Sequence, residues 1–296
     1  MADFDFVSWS EAHLARVESA LDQWIAQDAP ANLGDAMRYA VLDGGKRLRP
    51  LLALAACESV GGDMQAALRA ACAVELLHAY SLVHDDMPCM DNDLLRRGKP
   101  TVHVKYGEAQ ALLAGDALQA LSFELLTPQN SSMPEAMQAK LCALLARAAG
   151  HAGMAGGQAI DLASVGKTLS EAELKKMHEL KTGVLLAASV MMGAACGQCT
   201  PQQSQALLAY GQAIGLAFQV VDDVLDVTQD AASLGKTAGK DALNNKPTYV
   251  SILGLARSQA YAEQLHGQAH AALAAAQFSD AKPLRELADL VIKRTN

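Results

Sequence analysis

The 296-residue sequence predicts an all-α fold on three observations. Alanine and leucine abound while aromatic residues make up only 4%, which suits helices packed closely through small side chains. Apolar residues recur at helical spacing over long stretches. Glycine, proline and serine punctuate those stretches where helices should begin and end. The segments add up to a single domain over residues 1–296, a bundle of roughly ten to twelve helices, with no internal repeat and no linker-like low-complexity stretch.

In chain order, Trp9 to Gln27 reads as an amphipathic helix with Leu14, Val17, Leu21 and Ile25 on one face and Ser8 or Ser10 as its cap. A helix from Leu33 to Val41 breaks at Asp43-Gly44-Gly45, and Pro50 suits the first turn of the next, which runs to about Val60. Met64 to Met87 is a long apolar helix carrying Glu75, His78 and Tyr80 near its C-terminal end. Beyond a loop through Gly98-Lys99-Pro100, helices are expected at Tyr106–Leu126, Pro134–Met154 with an extension to Leu162, and Ser170–Cys196. Ser170 and Glu173 make the Ser-x-x-Glu pattern of a capping box. Pro201–Val227 is one more long helix, followed by a loop from Gly235 to Lys246 and helices at Pro247–Ala256, Ser258–Gln277 and Pro283–Lys293.

A net charge of −8 argues against a nucleic-acid partner, which calls for a basic face. The N-terminus lacks the basic and apolar regions of a secretory signal. Leu51–Cys57 and Leu185–Cys196 are the most apolar runs, and both fall short of the roughly 18 residues a membrane span needs. A soluble cytoplasmic protein without stable membrane insertion is the expectation. The six cysteines lie mostly in apolar, helix-like contexts, where a thiol acts as a small hydrophobe. Cys196 and Cys199 have redox or zinc spacing but no second pair, and read as a helix end.

Two acidic stretches carry the chemistry. The first is His84-Asp85-Asp86-Met87-Pro88-Cys89-Met90-Asp91, and the second is Asp222-Asp223-Val224-Leu225-Asp226. Carboxylates at the ends of apolar helices need a cation to offset their desolvation. Asp222 and Asp226, four apart, share a helix face, whereas Asp85 and Asp91 do so only if Pro88 bends or ends the helix. Oxygen donors in this pattern suit Mg²⁺, which takes one or two carboxylates together with substrate phosphates. Basic residues accompany them: Lys46, Arg47 and Arg49 on a glycine-led turn, Arg96 and Arg97, Lys181, and Lys236 with Lys240. An arginine-rich turn separate from the carboxylates implies a second anionic substrate held without metal. Gly235-Lys236-Thr237 lacks the upstream glycine of a P-loop, Gly153, Gly156 and Gly157 make no dinucleotide turn, and no nucleophile motif is present.

In their order, Gly44-Gly45-Lys46-Arg47-Leu48-Arg49-Pro50, His78 to Asp86, Arg96 to Thr101, Lys181-Thr182, Phe218 to Asp226 and Leu234-Gly235-Lys236 closely resemble the trans-isoprenyl diphosphate synthases, most of all the bacterial farnesyl diphosphate synthases. The resemblance spans about residues 40–250 and implies the isoprenoid synthase fold, long helices around a deep central cavity, usually in a homodimer. It implies that Asp85, Asp91 and Asp222 ligate a cluster of three Mg²⁺ ions, supported by Asp86, Asp223 and Asp226. Arg96, Lys181 and Lys236 would hold the allylic diphosphate, and Lys46, Arg49, His78 and Arg97 would hold isopentenyl diphosphate. Thr182 and Gln219, beside Lys181, occupy the family's positions for stabilising the allylic cation.

The activity so implied is condensation of isopentenyl diphosphate with dimethylallyl and then geranyl diphosphate to give farnesyl diphosphate. Tyr80, with the small Ser81 beside it, lies about one and a half turns before Asp85 and would act as the floor that ends elongation at C15. Val221 departs from the pattern, standing where many relatives carry glutamine. The alternatives are a synthase stopping at C10 or C20, a terpene cyclase, which needs no second diphosphate site, and a regulatory subunit, which would be expected to lose one acidic motif.

Overall fold

The computed structural model describes residues 4–42, 44–129, 132–228 and 247–294. Asp5 opens α1 (Phe6–Trp24), its carboxylate accepting from the amides of Val7 and Ser8 at 3.1 and 3.2 Å. The cap therefore precedes the serines expected to provide it, and Ser8 Oγ instead donates to Asp5. α2 (Leu33–Val41) and α3 (Leu48–Ser59) flank the glycine-led turn. α4 (Met64–Asp85), capped by Asp63, carries the first acidic motif at its C-terminal end.

The middle of the chain is more finely divided than expected, with a short extra helix in the expected loop, a break in the Pro134–Leu162 segment and a π turn within Ser170–Cys196. A two-stranded ribbon, β1 (Leu95–Arg96) with β2 (Lys99–Pro100), stands in place of a plain loop, and Gly107 then separates α5 (Val102–Tyr106) from α6 (Glu108–Leu126). Gly150 to Gly153 part α7 (Glu135–Ala149) from α8 (Met154–Ser164). α9 (Glu171–His178) starts in the expected capping box and passes through a π turn, Glu179–Gly183, into α10 (Val184–Ala195). α11 (Pro201–Thr228) carries the second acidic motif, and α12 (Tyr249–Leu253), α13 (Leu255–Ala274) and α14 (Lys282–Lys293) complete the bundle.

The packing explains the composition. α4 is buried nearly all round, with Ala66, Ala67, Ala70, Ala71 and Ala73 letting α3, α6 and α10 approach closely. α11 packs on α10 and α13. α3 and α10 send side chains into both halves of the core: Leu54 and Met192 toward α4, Leu52 and Val190 toward α11. By length and apolar composition α4 would pass for a membrane span, a match missed by looking only for uninterrupted apolar runs. Most of it is covered by other helices, as in a core helix. Cys57, Cys72 and Cys196 are buried and Cys89 is exposed. Burial pushes the Cys57 thiol up to about 12 and those of Cys72 and Cys196 higher still, so all three are protonated.

One buried charge fixes how the glycine-led turn meets α4. Arg47, in the left-handed region at φ 45°, is only 3% exposed. It donates to Glu75 on α4 at 2.7 Å, to Glu18 on α1 at 2.7 Å and to the Val41 carbonyl at 2.6 Å. Arg47→Met is expected to cost about 3–5 kcal/mol in denaturant unfolding, because Glu75 stays buried without its partner. Adding Glu75→Leu should recover much of that loss. A double variant no more stable than the single one would mean that the pair is not what holds the turn.

Candidate active site

The first acidic motif is folded back on itself by the end of α4. The Asp91 amide donates to the Asp85 carbonyl at 2.9 Å, Asp93 to the Asp86 carbonyl at 3.1 Å and Asn92 to Met87 at 3.1 Å. The helix ends at Asp85, ahead of Met87-Pro88, and the turn that follows brings the Asp91 backbone back beside that of Asp85. The members of the motif differ in what they touch. Asp86 is buried, and its carboxylate accepts from Arg96 Nε at 2.8 and 3.0 Å and from Nη2 at 2.5 Å. Burial works against the Arg96 charge, yet Asp86, aided by Asp85 and Asp91, holds its pKa above the ordinary value. Asp85 accepts from the Gln158 side chain on α8.

The second motif shows the same division. Asp223 is buried and accepts from the Gln219 amide at 2.9 Å and the Tyr249 backbone amide at 2.7 Å, tying α11 to the start of α12. Asp222 is 2.8 Å from the Arg294 guanidinium, which lies over the Phe218 ring 3.8 Å from its centroid. Asp226 is buried one turn further on. Gln219 points its Oε1 at Thr182, which donates to it at 3.2 Å, and its amide at Asp223. Thr182, Gln219 and Asp223 form a chain whose electron-rich oxygens are held in place.

The cations converge from three elements. The Arg97 guanidinium donates to the Gly44 carbonyl and packs on Gly45. A Cβ on Gly45 would lie 2.8 Å from it, and φ is 138° there, so glycine is required twice over. Arg49 turns inward from α3, with its Nε buried and without a hydrogen-bond partner. Burial pulls its pKa down, with Glu75 and Asp222 opposing the fall. His78 is driven well below the ordinary range, first by burial and then by Arg49, Arg97, Arg96 and Arg47. The result is a neutral imidazole among arginines. Lys181 projects from the π turn to Asp161 on α8 at 2.5 Å. The turn lies so near α8 that a Cβ on Gly157 would come 2.1 Å from the Lys181 nitrogen, and π turns are frequent at functional sites.

Part of this set borders two clefts that share one wall, while Asp86, Asp91, Gln219, Asp223 and Asp226 line neither of them. The first, about 370 Å³, is lined by Asp85, Lys181 and Thr182 at its polar end and by Tyr80, Ser81, Met154, Ala155 and Leu162 below. The second, about 440 Å³, is lined by Gly45, Lys46, Arg97, Asp222, Phe218 and Arg294. Arg49, His78 and Leu82 belong to both. Tyr80 packs edge-on to His84, ring centroids 5.5 Å apart, and Ser81 donates to the His78 carbonyl at 2.7 Å. Such sizes suit small-molecule ligands. A buried guanidinium whose Nε has no partner calls for an anion, and the all-carboxylate donors of the two motifs fit a hard divalent cation such as Mg²⁺. The positions of Gln158, Asp161 and Arg294 come from tertiary packing, and no local pattern announces their partners.

The chain matches the polyprenyl synthetase family over residues 30–286. It belongs to that family. It is 45% identical over 296 residues to geranylgeranyl pyrophosphate synthase 7 of Arabidopsis thaliana, covering 99% of this chain and 85% of that protein. Among solved structures, an FPP/GFPP synthase from Zymomonas mobilis aligns with a TM-score of 0.86 at 40% identity, covering 97% of this chain and 98% of that one. A geranyltransferase from Helicobacter pylori, complexed with magnesium and isoprenyl diphosphate, aligns with a TM-score of 0.84 at 35% identity over 99% and 98%. The fold is accordingly the isoprenoid synthase fold, and the chain is a prenyltransferase of a Mg²⁺-dependent family acting on isoprenyl diphosphates.

The cytoplasmic expectation is overturned. The Arabidopsis relative, and others from the same plant, are chloroplastic proteins. Composition does not distinguish these compartments, because cytosol and stroma are both aqueous and both accept the same charged surface. Lys236 and Lys240 lie outside the described residues.

His178, stacked on Tyr249 with ring centroids 5.4 Å apart, is pushed by burial from 6.5 down to about 4. Between those values the unfolded chain takes up a proton that the folded chain refuses, so stability should fall as pH drops through that window. Denaturant midpoints compared at pH 7 and pH 5 should fall less in His178→Phe than in the parent. A His178 resonance titrating at its ordinary value would contradict this reading.

Proposed function

We propose that this chain is a short-chain trans-prenyl diphosphate synthase, one domain across residues 1–296, that adds isopentenyl diphosphate to an allylic diphosphate. The observation that carries this reading is the pair of clefts meeting at Arg49 and His78. A cyclase needs only one diphosphate site, and here a second set of basic residues, Lys46, Arg49 and Arg97 with neutral His78, lines the second cleft, which shares Arg49 and His78 with the first and is also bordered by Arg96. In this reading that set holds isopentenyl diphosphate, and Arg96, Lys181 and Lys236 hold the allylic diphosphate. Asp86, gripped by Arg96, acts through that arginine's orientation.

Mg²⁺, three ions in this proposal, is held by Asp85, Asp91 and Asp222 with support from Asp86, Asp223 and Asp226, and when bound neutralises the charge on the departing pyrophosphate. Lys181 keeps the allylic diphosphate aligned while its C–O bond breaks and the electron pair leaves with pyrophosphate. Thr182 and Gln219 present their oxygens to the resulting cation, and the apolar walls exclude water. The double bond of isopentenyl diphosphate forms the new C–C bond, and the C2 proton passes to pyrophosphate. No side chain is required as a base.

For product length, relatives named as geranylgeranyl synthases support C20, and this reading is preferred over the farnesyl product expected from the resemblance. A second reading, C15, is favoured by Tyr80, whose ring lines the first cleft. A homodimer is also proposed, consistent with Leu112 and Leu113 being 46% and 52% exposed on α6.

The test is incubation with Mg²⁺, labelled isopentenyl diphosphate and each allylic starter, resolving the products by length. C20 supports the preferred reading and C15 the second. Release of pyrophosphate without condensation would overturn both. Tyr80→Ala should lengthen the product if the ring is the floor, and an unchanged product would place the floor elsewhere. Asp85→Ala and Asp222→Ala should each lower turnover by at least about 10²-fold with the helical circular dichroism retained. Near-parental turnover in both would remove the metal assignment.

A further inference from the structure

On the outer side of the bundle, α13 and α14 bring two imidazoles and a carboxylate to one point. His266 and His270 are four apart on one face of α13, and Asp289 reaches them from α14. Asp289 Oδ1 is 2.7 Å from His266 Nε2 and 2.8 Å from His270 Nε2, and the two nitrogens are 3.0 Å apart. All three residues are partly exposed.

Hydrogen bonds alone cannot satisfy this triangle. The carboxylate oxygen only accepts, so each Nε2 must carry a proton to meet it favourably, and two N–H donors then face one another across 3.0 Å. If either proton is absent, a lone pair faces the carboxylate instead. One of the three contacts is always between like partners. A metal ion accepting a lone pair from each atom removes the conflict. Ligands about 2.1 Å from a metal and at right angles lie about 3.0 Å apart, close to the spacing observed. Two imidazoles and one carboxylate on one face, with the remaining positions toward solvent, form a set that binds first-row transition metals.

We propose that His266, His270 and Asp289 form a divalent transition-metal site, chemically distinct from the all-oxygen aspartate motifs, that pins α14 to α13. Lys293 Nζ lies 3.4 Å from the other Asp289 oxygen and leaves Oδ1 to the metal. The site lies one helix away from the second cleft: α14 leads directly to Arg294, whose guanidinium meets Asp222. Holding α14 in place therefore steadies a cation beside the second acidic motif.

The test uses the full chain without an affinity tag, stripped of metal and titrated with Ni²⁺ in the presence of excess Mg²⁺. One equivalent of Ni²⁺ should bind and raise the melting temperature. His270→Gln and, separately, Asp289→Asn should weaken that binding by about 10-fold or more and abolish the melting shift, with metal-free melting showing that each variant folds. Asp222→Ala should leave it intact. X-ray absorption should report two imidazole ligands. Unchanged Ni²⁺ affinity in His270→Gln, no binding in the parent, or loss of binding in Asp222→Ala would each overturn the proposal.

Discussion

A guanidinium buried between two carboxylates governs the geometry of the second cleft. Arg47 cannot be left in the core without compensation, so Glu75 on α4 and Glu18 on α1 meet it from opposite sides. Its contacts hold the turn between α2 and α3 against α4. Lys46 and Arg49, on either side of it in sequence, are then presented to the cleft. Gly45, admitted by its backbone conformation, leaves room for Arg97 to cross from the ribbon. In a run of three basic residues, one is engaged internally so that the other two can point elsewhere.

The carboxylates are divided in a similar way, and only part of that division is legible in the sequence. The i, i+4 spacing of Asp222 and Asp226, and the break at Met87-Pro88 in the first motif, could be read because helix geometry follows from local sequence. The end of α4 and the return of Asp91 to Asp85 agree with that reading. Local pattern does not give which aspartates are already engaged. Asp86 is gripped by Arg96 across the ribbon, and Asp223 receives an amide from Tyr249, which is 26 residues away. The expected helices agree in kind but are too coarse at Gly150 to Gly153, where a glycine-containing break interrupts a continuous apolar pattern, and the short α5 ahead of Gly107 occupies a stretch expected as loop. Arg294 was invisible because its partners, Phe218 and Asp222, are brought to it only by the packing of α14.

The shared wall of the clefts combines two unlike requirements. Arg49 keeps a charge in spite of burial, with Glu75 and Asp222 acting to retain it. His78 yields its charge, since burial and the surrounding arginines all oppose protonation. The two stand side by side as one cationic and one neutral donor, with Leu82 completing the partition. A second cation in place of the neutral imidazole would add repulsion to a site already crowded with arginines.

The π turn at Glu179–Gly183 constrains how this chain can change length. A π turn accommodates one residue more than an α turn, and each residue removed from a helix rotates its N-terminal part by about 100° relative to its C-terminal part. Deleting a residue here would let α9 and α10 fuse into a regular helix, but Lys181 would swing away from Asp161 and Thr182 from Gln219. The irregular turn is thus a register mark: insertions and deletions can accumulate in the loops around it, while these five positions must keep their number.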